Sequence, residues 1–386
     1  MKIKVFSLVL VAITALSCAE EGKTIIVKNE LNLDRAFETV EINLDEITSD
    51  ETQKNWGIRN ASDKSEVTSQ LIDTNKDGAW DILLFQPKIK ASSEAKFELF
   101  PKKNNTTDST ICYSRFVPER TDDYAWENNK VAFRTYGPVA QQMIEDSIPG
   151  GTLSSGIDAW LKRVEYPIIN KWYAANDKDP GYYHKDHGEG LDNFHVGSSR
   201  GIGGIAKKVD SIYYFSKNFI SWKTITNGPI RTSFELTYKD WDANGKSITE
   251  KKHISLDYGQ NLSKITLHIK GVQTISAGIT LHQQKGITNT NLQEGWMSYW
   301  EPHGDSELGM GIVASPENIE NFDKYITNKV DESNLFAKLK LNNEKVSYYA
   351  GFGWKKAGEF TTQNEWESYL SDFATKLNSP LKVTIE

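Results

Sequence analysis

Alternating apolar and polar residues constrain the fold of this chain more than any other feature. In residues 230–238 one alternating set is Ile230, Thr232, Phe234, Leu236 and Tyr238, and the other is Arg231, Ser233, Glu235 and Thr237. A period of two places each set on one face of a β-strand. Asn244-Gly245 follows, a dipeptide typical of tight hairpin turns, and a second strand-like run reaches residue 257. The segment 230–257 is therefore predicted to form a β-hairpin.

Strand patterns recur over most of the chain, whereas one segment has a clear helical pattern. The other strand-like segments are 65–86, 95–103, 111–120, 130–138, 263–271 and 275–286. Near the C-terminus, Thr362 and Glu365 form a capping-box pattern, and Pro380 would end the helix. The apolar stripe of this helix is Trp366, Tyr369, Leu370, Phe373 and Leu377.

Many strands without alternating helices favour an antiparallel architecture. The predicted fold class is mainly β, a large antiparallel β-sandwich with few helices, one of them at the C-terminus. Residues 31–386 are expected to form a single catalytic β-sandwich domain, and a small N-terminal β lobe over residues 31–105 also fits the pattern.

The N-terminus has the pattern of an export signal. Lys2 and Lys4 precede an apolar run that is too short to span a bilayer, and small residues lead to Cys18. We expect a signal peptide over residues 1–17, a lipidated Cys18 and a polar tether over 18–30; ordinary signal cleavage near the same place is the alternative. The predicted location is the periplasm or the outer membrane, with a lipid anchor as the only membrane contact.

Charge and composition narrow the class of partner. The formal net charge is −7, which argues against nucleic acid. Besides Cys18 the chain has only Cys112, so it can form no intramolecular disulfide once Cys18 is lipidated. The 11 Trp, 16 Tyr and 16 Phe residues include many that must be core, but aromatic rings in an exported protein also suit sugar binding.

The segment 181–204 concentrates groups that carry chemistry. It holds three histidines, several acids, Arg200 and seven glycines, which oppose a regular helix and let backbone approach a ligand. The histidines are His184, His187 and His195, and the acids include Glu189 and Asp192. A general acid or base role for a histidine is favoured. The alternatives are a metal site from His184 and His187 with Asp192 or His195, and packed structural histidines.

Three further groups of residues are candidates for ligand binding. Residues 158–173 mix Lys162 with tryptophans, which suits either a sugar-acid clamp or a solvated strand or short helix. Arg134 and Tyr136 share one strand face, near Trp126. Trp300 and His303 belong to an aromatic and polar cluster at residues 296–303.

The segment 73–81 has the oxygen-ligand spacing of a calcium loop. Asp73, Asn75, Asp77 and Asp81 stand at positions 1, 3, 5 and 9, but Leu84 replaces the bidentate glutamate at position 12. A structural calcium ion is one interpretation, and an acidic turn whose side chains bind their own backbone is the other.

Three motifs resemble a known family. YAWENNKVAFRTYGP (124–138), SGIDAWLKRVEYPIINKWY (155–173) and YHKDHGEGLDNFHVGSSRGIGG (183–204) are similar to segments of a family of bacterial exported proteins. This family was formerly of unknown function, occurs in polysaccharide-utilisation clusters and includes an ulvan oligosaccharide dehydratase. The resemblance covers residue 27 to the C-terminus, and a galactose-mutarotase-like supersandwich is one form that the predicted fold could take.

The resemblance implies a reaction and a substrate. The enzyme would act on a uronic acid at the non-reducing end of an oligosaccharide, removing H5 and the 4-hydroxyl to leave a 4,5-unsaturated residue. A downstream unsaturated-glycuronyl hydrolase would then remove that residue. No cofactor is required for this chemistry.

Elimination next to a carboxylate needs a base, an acid and a group that neutralises charge. We expect His184 or His187 as base, with Tyr136, Tyr183 or the other histidine as acid. Arg200 and Arg134 would hold the carboxylate. The full set expected to bind substrate or orient the histidines is Arg134, Lys162, Asp158, Glu189, Asp192, His195, Trp126, Trp300 and His303.

Two other function classes stay open. A glycoside hydrolase needs two carboxyl groups at a defined separation, which Glu127, Glu189, Asp158 and Glu301 could supply. A non-catalytic glycan-binding lipoprotein would suit the aromatic residues and the anchor, but not the histidine-rich segment.

Overall fold

The structure of the chain, a computed structural model, describes residues 23–47, 55–102 and 110–386. The predicted signal peptide and the lipidated Cys18 lie outside the described residues. Residues 24–28, predicted to belong to the tether, instead form a strand, because Ile25 and Val27 are both buried in an apolar core.

The described residues contain three α-helices and 27 strands. The helices are α1 (Pro138–Glu145), α2 (Ile169–Lys178) and α3 (Gln363–Asn378). The first strands are β1 (Thr24–Lys28), β2 (Val40–Asn43), β3 (Trp56–Asn60), β4 (Glu66–Val67), β5 (Ser69–Ile72), β6 (Ile82–Phe85) and β7 (Glu94–Pro101). They are followed by β8 (Tyr113–Val117), β9 (Asp123–Glu127), β10 (Ala132–Thr135), β11 (Asp158–Lys162) and β12 (Gly190–Leu191).

The remaining strands build the larger part of the fold. They are β13 (Ile202–Val209), β14 (Ile212–Tyr214), β15 (Phe219–Thr226), β16 (Arg231–Tyr238), β17 (Trp241–Asp242), β18 (Ser247–Asp257), β19 (Leu262–Lys270), β20 (Thr274–Thr280), β21 (Ile287–Asn291), β22 (Trp296–His303), β23 (Ser306–Val313), β24 (Ile319–Tyr325), β25 (Asn334–Lys340), β26 (Lys345–Trp354) and β27 (Lys382–Ile385).

The N-terminal strands pack around a core of their own. One sheet has the order β27-β1-β7-β3-β4 and a second has the order β2-β6-β5. Their inward side chains form one apolar cluster, which includes Val27, Ile42, Phe85 and Phe97. The last strand, β27, returns to this lobe and pairs with β1, so the first and last strands of the described residues lie in one sheet.

Three further sheets form the main body. A nine-stranded sheet has the order β15-β16-β18-β19-β26-β23-β22-β21, with β17 pairing to β18. A five-stranded sheet, β14-β13-β20-β25-β24, shares a large apolar core with it, and the sheet β12-β11-β10-β9-β8 also contributes to that core. Every pairing between the named strands of the described residues is antiparallel, which confirms the predicted fold class.

The predicted hairpin is confirmed. Residues 230, 232, 234, 236 and 238 are all buried, as the alternation requires. Asn244 and Gly245 have φ values of 54° and 82°, the left-handed backbone that a tight hairpin turn needs. β16 and β18 pair in register from Arg231 with Asp257 to Thr237 with Lys251.

The C-terminal helix α3 is also confirmed. Helix α1 was not predicted, and α2 overlaps only in part with residues 158–173, where a short helix was one alternative. Thr362 and Glu365 make both hydrogen bonds of the capping box, and α3 ends at Asn378, two residues before Pro380. Helices α1 and α2 lack a side-chain cap and are only eight and ten residues long, so their sequence signal is weak. No helix in the described part of the chain is long and apolar enough to cross a membrane.

Candidate active site

Arg134, on β10, lies at the centre of a buried cluster of aspartates. Its Nε and Nη2 donate to Asp158 Oδ2 at 2.9 and 2.6 Å, and Nη2 also donates to Asp192 Oδ2 at 2.8 Å. Its Nη1 lies 3.6 Å from Asp123 Oδ2. β10 pairs with β9 and β11, so Asp123, Arg134 and Asp158 come from three adjacent strands. One guanidinium therefore neutralises part of the charge of three carboxylates.

Aromatic rings enclose this cluster. The rings of Trp160, Tyr136 and Tyr183 lie 5.2 to 5.7 Å from the guanidinium carbon of Arg134. Tyr136 donates its hydroxyl to Asp158 Oδ2 at 3.2 Å, and Tyr173 donates to Asp123 Oδ2 at 3.1 Å. The rings exclude water, which strengthens the ion pairs and penalises any charge that lacks a partner.

Burial, together with neighbouring negative charge, raises the pKa values of the aspartates. Burial, followed by the charge of Asp192, raises the pKa of Asp158 to about 7 against the opposing effect of Arg134. Burial also raises the pKa of Asp192 to about 6, with Asp123 contributing. Asp158 Oδ1 has no hydrogen-bond partner among the described residues, which fits a carboxyl that holds a proton near neutral pH.

Replacing Asp158 with asparagine is expected to make the free energy of unfolding depend less on pH. Because the folded-state pKa of Asp158 lies above its ordinary value of 3.8, its stabilising contribution is present at acidic pH and is lost as the pH rises through about 7. The Asp158→Asn variant removes that loss while keeping an oxygen to accept from Arg134. Urea unfolding between pH 4 and 7 measures the change in the free energy of unfolding.

Asp186→Asn is the matched control, because hydrogen bonds from Gly188 and Arg163 lower the pKa of Asp186 despite partial burial. Its contribution is lost as the pH falls, in the opposite sense. If the free energy of unfolding of the Asp158→Asn variant changes with pH between 4 and 7 as steeply as that of the wild type, Asp158 is not the titrating group.

His184 is held at the edge of the cluster in a defined orientation. Its Nδ1 lies 2.7 Å from the carbonyl oxygen of Asp192 and 3.6 Å from the carboxylate of the same residue. Since a carbonyl oxygen only accepts, Nδ1 carries the proton, and Nε2 of the neutral imidazole keeps a free lone pair. The side chain is 54% exposed, so Nε2 is accessible to a ligand.

These groups open into one cavity of about 580 Å³. Its walls include Arg134, Tyr136, His184, Asp192 and His195, together with Asn193, Phe194 and residues 151–153. The volume falls in the ordinary range for small-molecule sites. Of the predicted catalytic residues, the structure brings His184 and Tyr136 together here.

Glycines allow the segment 181–204 to follow this path. Gly190 has a φ of 123° and pairs with Lys162 on β11, where a Cβ would lie 1.9 Å from the carbonyl oxygen of Leu161. Gly201, with a φ of 55°, bridges to Ile157 under the same constraint. The chain from Gly190 to Gly201 therefore contacts β11 at Lys162 and the residue before β11, Ile157, and places Asp192 in the aspartate cluster between them.

The predicted role of Arg200 is wrong. Its guanidinium is buried and donates to Ser155 Oγ at 2.9 Å, to the Ile205 carbonyl at 3.3 Å and to the Ser198 carbonyl at 2.9 Å. Burial lowers its pKa to about 10. Arg200 therefore stabilises the fold beside the cavity and offers no group to a substrate carboxylate.

His187 and Lys162 also lie outside the cavity. His187 is exposed and stacks on Tyr182 with ring centroids 3.9 Å apart. Lys162 is fully buried, and Nζ donates to Glu127 Oε2 and to the carbonyl oxygens of Asn128 and Tyr166, each at 2.9 Å. All three ammonium protons are used, so the prediction of Lys162 as a sugar-acid cation is wrong.

Three other predicted binding residues are structural. Glu189 accepts from Tyr166, Lys171 and Trp172 rather than orienting a histidine. Trp126 is buried and donates to Ser263 Oγ, and Trp300 packs in the core beneath α3. Predicting these residues as ligand-binding groups was wrong, because the carboxylate of Glu189 is already bound and the rings of Trp126 and Trp300 are covered by the fold.

The roles of Arg134 and Asp158 also differ from the prediction. Arg134 neutralises aspartates of the chain instead of presenting two free donors to a substrate carboxylate. Asp158 contacts Arg134 and Tyr136 rather than a histidine. Asp192 is placed as expected, since it contacts His184 through both its carbonyl and its carboxylate.

A second group of histidines lies behind the cavity wall. His282 Nδ1 lies 2.5 Å from Glu301 Oε1, and His303 Nδ1 lies 3.7 Å from the same oxygen. Phe194, which lines the cavity, packs edge-on against His282 with ring centroids 4.8 Å apart. His303 thus lies one layer away from the cavity, and the pairing of His282 with Glu301 had no clear signal in the sequence.

The segment 73–81 forms a set of local turns. Asp73 accepts from the backbone N–H of Lys76 and Gly78, and Asn75 accepts from that of Asp77. Asp77 accepts from the backbone N–H of Ala79, and Asp81 accepts from that of Thr74. This is the geometry of the acidic turn that was the alternative to a calcium loop, and calcium binding stays a prediction.

Another cavity, of about 600 Å³, lies between the N-terminal lobe and α3. Its charged groups are largely paired with each other, as in Arg231 with Asp257 and Glu41. None of the histidines of the described residues lines it. The acid–base groups therefore favour the cavity at His184 as the active site.

Fold and cavity together define a mainly antiparallel β protein with a histidine, a tyrosine and a buried aspartate cluster in one cleft. The chain belongs to the family described as a domain of unknown function (DUF4861), whose model matches residues 27–383. It is 57% identical over 378 residues to a protein of Formosa agariphila called Uncharacterized protein P7, with 96% of each chain covered.

Two solved structures match most of the length of this chain. A protein in the glycosyl hydrolase family 38 from Enterococcus faecalis matches with a TM-score of 0.51 and 8% identity, over 96% of this chain and 48% of that chain. An α-mannosidase from Enterococcus faecalis V583 matches with a TM-score of 0.47 and 9% identity, over 95% and 46%. The chain spans about half the length of these structures, and the first likeness shows the fold alone.

Proposed function

We propose that this chain is a carbohydrate-active enzyme that eliminates water from the non-reducing-end uronic acid of an ulvan-type oligosaccharide. The observation that carries the proposal is the placement of His184. Its Nδ1 contacts a carbonyl oxygen, and its Nε2 has no hydrogen-bond partner among the described residues and lies at a sugar-sized cavity. The resemblance of the motifs at 124–138, 155–173 and 183–204 to the dehydratase-containing family supports the choice of reaction.

In this proposal His184 is the general base. Its Nε2 takes H5, the hydrogen next to the carboxylate, and the electron pair forms the C4–C5 double bond as the 4-hydroxyl leaves. Asp192 positions the ring through its carbonyl oxygen, and its carboxylate 3.6 Å from Nδ1 stabilises the imidazolium that forms.

Tyr136 is the proposed general acid. Burial, followed by the negative charge of Asp158, raises its pKa well above the ordinary value, so the hydroxyl keeps its proton at neutral pH. Hydroxide is a poor leaving group and must depart as water, which requires a proton donor. Asp158, with its raised pKa, can supply the proton that restores Tyr136.

The substrate carboxylate needs a partner of its own. Arg134 is engaged by aspartates, so we assign this role to His195, whose side chain is 70% exposed in the cavity, and to the amide of Asn193. Protonated His195 would exchange its contact with Asp331, now 3.2 Å from Nε2, for the carboxylate. Such neutralisation stabilises the charge that develops when H5 is removed.

The two other function classes are less well supported. Asp192 is the one carboxylate lining the cavity among the described residues, and Arg134 binds it, whereas a glycosidase needs two carboxyl groups facing the sugar. Glu127 is bound by Lys162 and by the backbone N–H groups of Ile168 and Ile169. A purely glycan-binding role is less well supported because Trp126 and Trp300 are buried and cannot stack on a sugar.

The proposal includes export and a place in a reaction sequence. The pattern of residues 1–18 supports a lipoprotein of the periplasm or outer membrane. The unsaturated product would be the substrate of an unsaturated-glycuronyl hydrolase.

The reaction is tested by incubating the purified chain with an ulvan oligosaccharide that carries a saturated uronate at its non-reducing end. The expected product is lighter by one water, keeps the same number of sugar residues and absorbs ultraviolet light through the new conjugated double bond. The same oligosaccharide with an unsaturated terminus is the control and should not change. A product with fewer sugar residues would instead indicate hydrolysis.

Replacing Tyr136 with phenylalanine is expected to lower kcat about 10²-fold or more with little change in KM, because the proton donor is lost and the ring is kept. Initial rates of ultraviolet absorbance measure the effect. Tyr166→Phe is the matched control, since Tyr166 donates to Glu189 outside the cavity. A Tyr136→Phe variant with more than half of the wild-type kcat would exclude Tyr136 as the acid.

A further inference from the structure

His282, Glu301 and His303 bring three potential ligand atoms within 4.8 Å of one another. Glu301 and His303 lie two residues apart on β22, so their side chains share one face of the strand. His282 follows β20 and reaches the same point, with Nδ1 directed at Glu301 Oε1. Two imidazoles and a carboxylate are a ligand set that divalent transition metals prefer.

The outer nitrogen of each histidine is already bound to an oxygen acceptor. His282 Nε2 lies 2.9 Å from the carbonyl oxygen of His195, and His303 Nε2 lies 3.0 Å from Oδ1 of Asn193. With both Nε2 atoms donating protons, Nδ1 of each ring faces Glu301. The 2.5 Å contact between His282 Nδ1 and Glu301 Oε1 holds a proton, which a bound metal ion would displace to reach the lone pair on Nδ1. Metal-binding histidines typically have this outer contact, which fixes the tautomer and the ring orientation.

The backbone holds His282 in an uncommon conformation. Its φ is 42°, in the left-handed region that non-glycine residues adopt uncommonly, histidine, asparagine and aspartate more often than the rest. The turn is fixed from both sides, since Tyr299 donates to the Leu281 carbonyl at 2.9 Å and accepts from the Gly286 N–H at 3.1 Å. Strain maintained by such contacts commonly marks a functional position.

We propose that His282 Nδ1, Glu301 Oε1 and His303 Nδ1 bind one divalent transition-metal ion, Zn²⁺ in preference to Ca²⁺ or Mg²⁺. Metal–ligand bonds of about 2 Å require His282 and Glu301 to separate slightly from their present 2.5 Å contact. Three protein ligands leave a fourth position for water or another ligand. Nitrogen ligands disfavour the hard cations Ca²⁺ and Mg²⁺.

The proposed ion would also stabilise the wall of the cavity. The outer contacts of its two histidines are the His195 carbonyl and the Asn193 side chain, and both residues line the cavity. Binding of the metal would therefore fix the segment 193–195. The three ligands of the ion are not among the groups assigned to the proposed dehydration, so metal binding can be measured separately from that reaction.

Metal binding by the full chain, without a histidine tag and treated with chelator, tests this site. Titration with Zn²⁺ is expected to saturate at one ion per chain, and excess Ca²⁺ should not compete. Glu301→Gln and His303→Ala should each weaken Zn²⁺ binding about 100-fold or more. The outer-contact variant Asn193→Ala should weaken it 10- to 100-fold. His268→Ala, on β19 away from this cluster, is the matched control and should bind as the wild type does.

Titration of the wild-type chain with Co²⁺ keeps the test decisive if a variant fails to fold. One equivalent should give the strong visible absorbance of a four- or five-coordinate ion with nitrogen ligands. Three outcomes would each overturn the proposal. They are Co²⁺ binding no tighter than to free histidine, a weak spectrum of six-coordinate Co²⁺, and folded Glu301→Gln protein that binds Zn²⁺ with unchanged affinity. Because the readout is metal binding, failure of dehydration would leave these outcomes unaffected.

Discussion

Replacing His184 with glutamine is expected to reduce kcat by about 10²- to 10⁴-fold, the usual effect of losing a general base. Glutamine has a similar reach but cannot accept the H5 proton at neutral pH. Stability should change little, because the His184 side chain is half exposed and its one hydrogen bond lies at the surface of the cluster. The measurement is the initial rate of ultraviolet absorbance at saturating oligosaccharide, with thermal unfolding as the check on folding.

His187→Gln is the matched control for this prediction. His187 lies three residues along the same segment, but it stacks on Tyr182 and does not line the cavity. It should retain nearly full activity. Equal losses in both variants would mean that the segment matters for folding rather than for proton transfer, and full activity of His184→Gln would exclude His184 as the base.

Replacing Arg134 with methionine is expected to destabilise the folded chain by about 3–5 kcal/mol, the usual effect of removing one partner from a buried ion pair. Asp158 and Asp192 would then lie together with no cation in contact. The loss should be smaller at acidic pH, because protonation of the aspartates removes the repulsion. The pKa values of Asp158 and Asp192 are already raised and become still higher in the variant. As the pH rises from 4 to 7, the free energy of unfolding of the variant should therefore decrease more steeply than that of the wild type.

Urea unfolding at several pH values measures this effect, and Arg163→Met is its control. Arg163 pairs with Asp186 at 2.7 Å, but both side chains are about one quarter exposed, so the variant should lose only about 0–1 kcal/mol. Similar stability of the two variants would show that Arg134 is not essential to the aspartate cluster.

The sheet architecture could be predicted from the sequence because its signal is local. Period-two alternation and the Asn244-Gly245 turn identify the hairpin, and capping residues with an apolar stripe identify α3. The pairing of β27 with β1 could not be predicted, since it joins residues more than 350 positions apart. Likewise α2 is short and has no capping side chain of its own. Its first N–H groups, at Ile168 and Ile169, donate to the distant Glu127, and Trp172 and Tyr173 pack in the core.

The site could be predicted in part. His184, Tyr136, Asp192 and His195 were expected in a shared site and line one cavity. Arg200 was assigned wrongly because a sequence does not show whether a cation already has partners inside the fold, and here Ser155 and two carbonyls bind it. Pairing of His282 with Glu301 depends on the contact between a turn and a distant strand, which has no local signal.

Removal of H5 by His184 is tested most directly with an oligosaccharide whose terminal uronate carries deuterium at C5. The account predicts a product that has lost the deuterium together with the 4-hydroxyl, formed more slowly than from the unlabelled substrate, and no such product from the His184→Gln variant. A product that keeps the deuterium, or label loss that is equally fast in the His184→Gln variant, would contradict it.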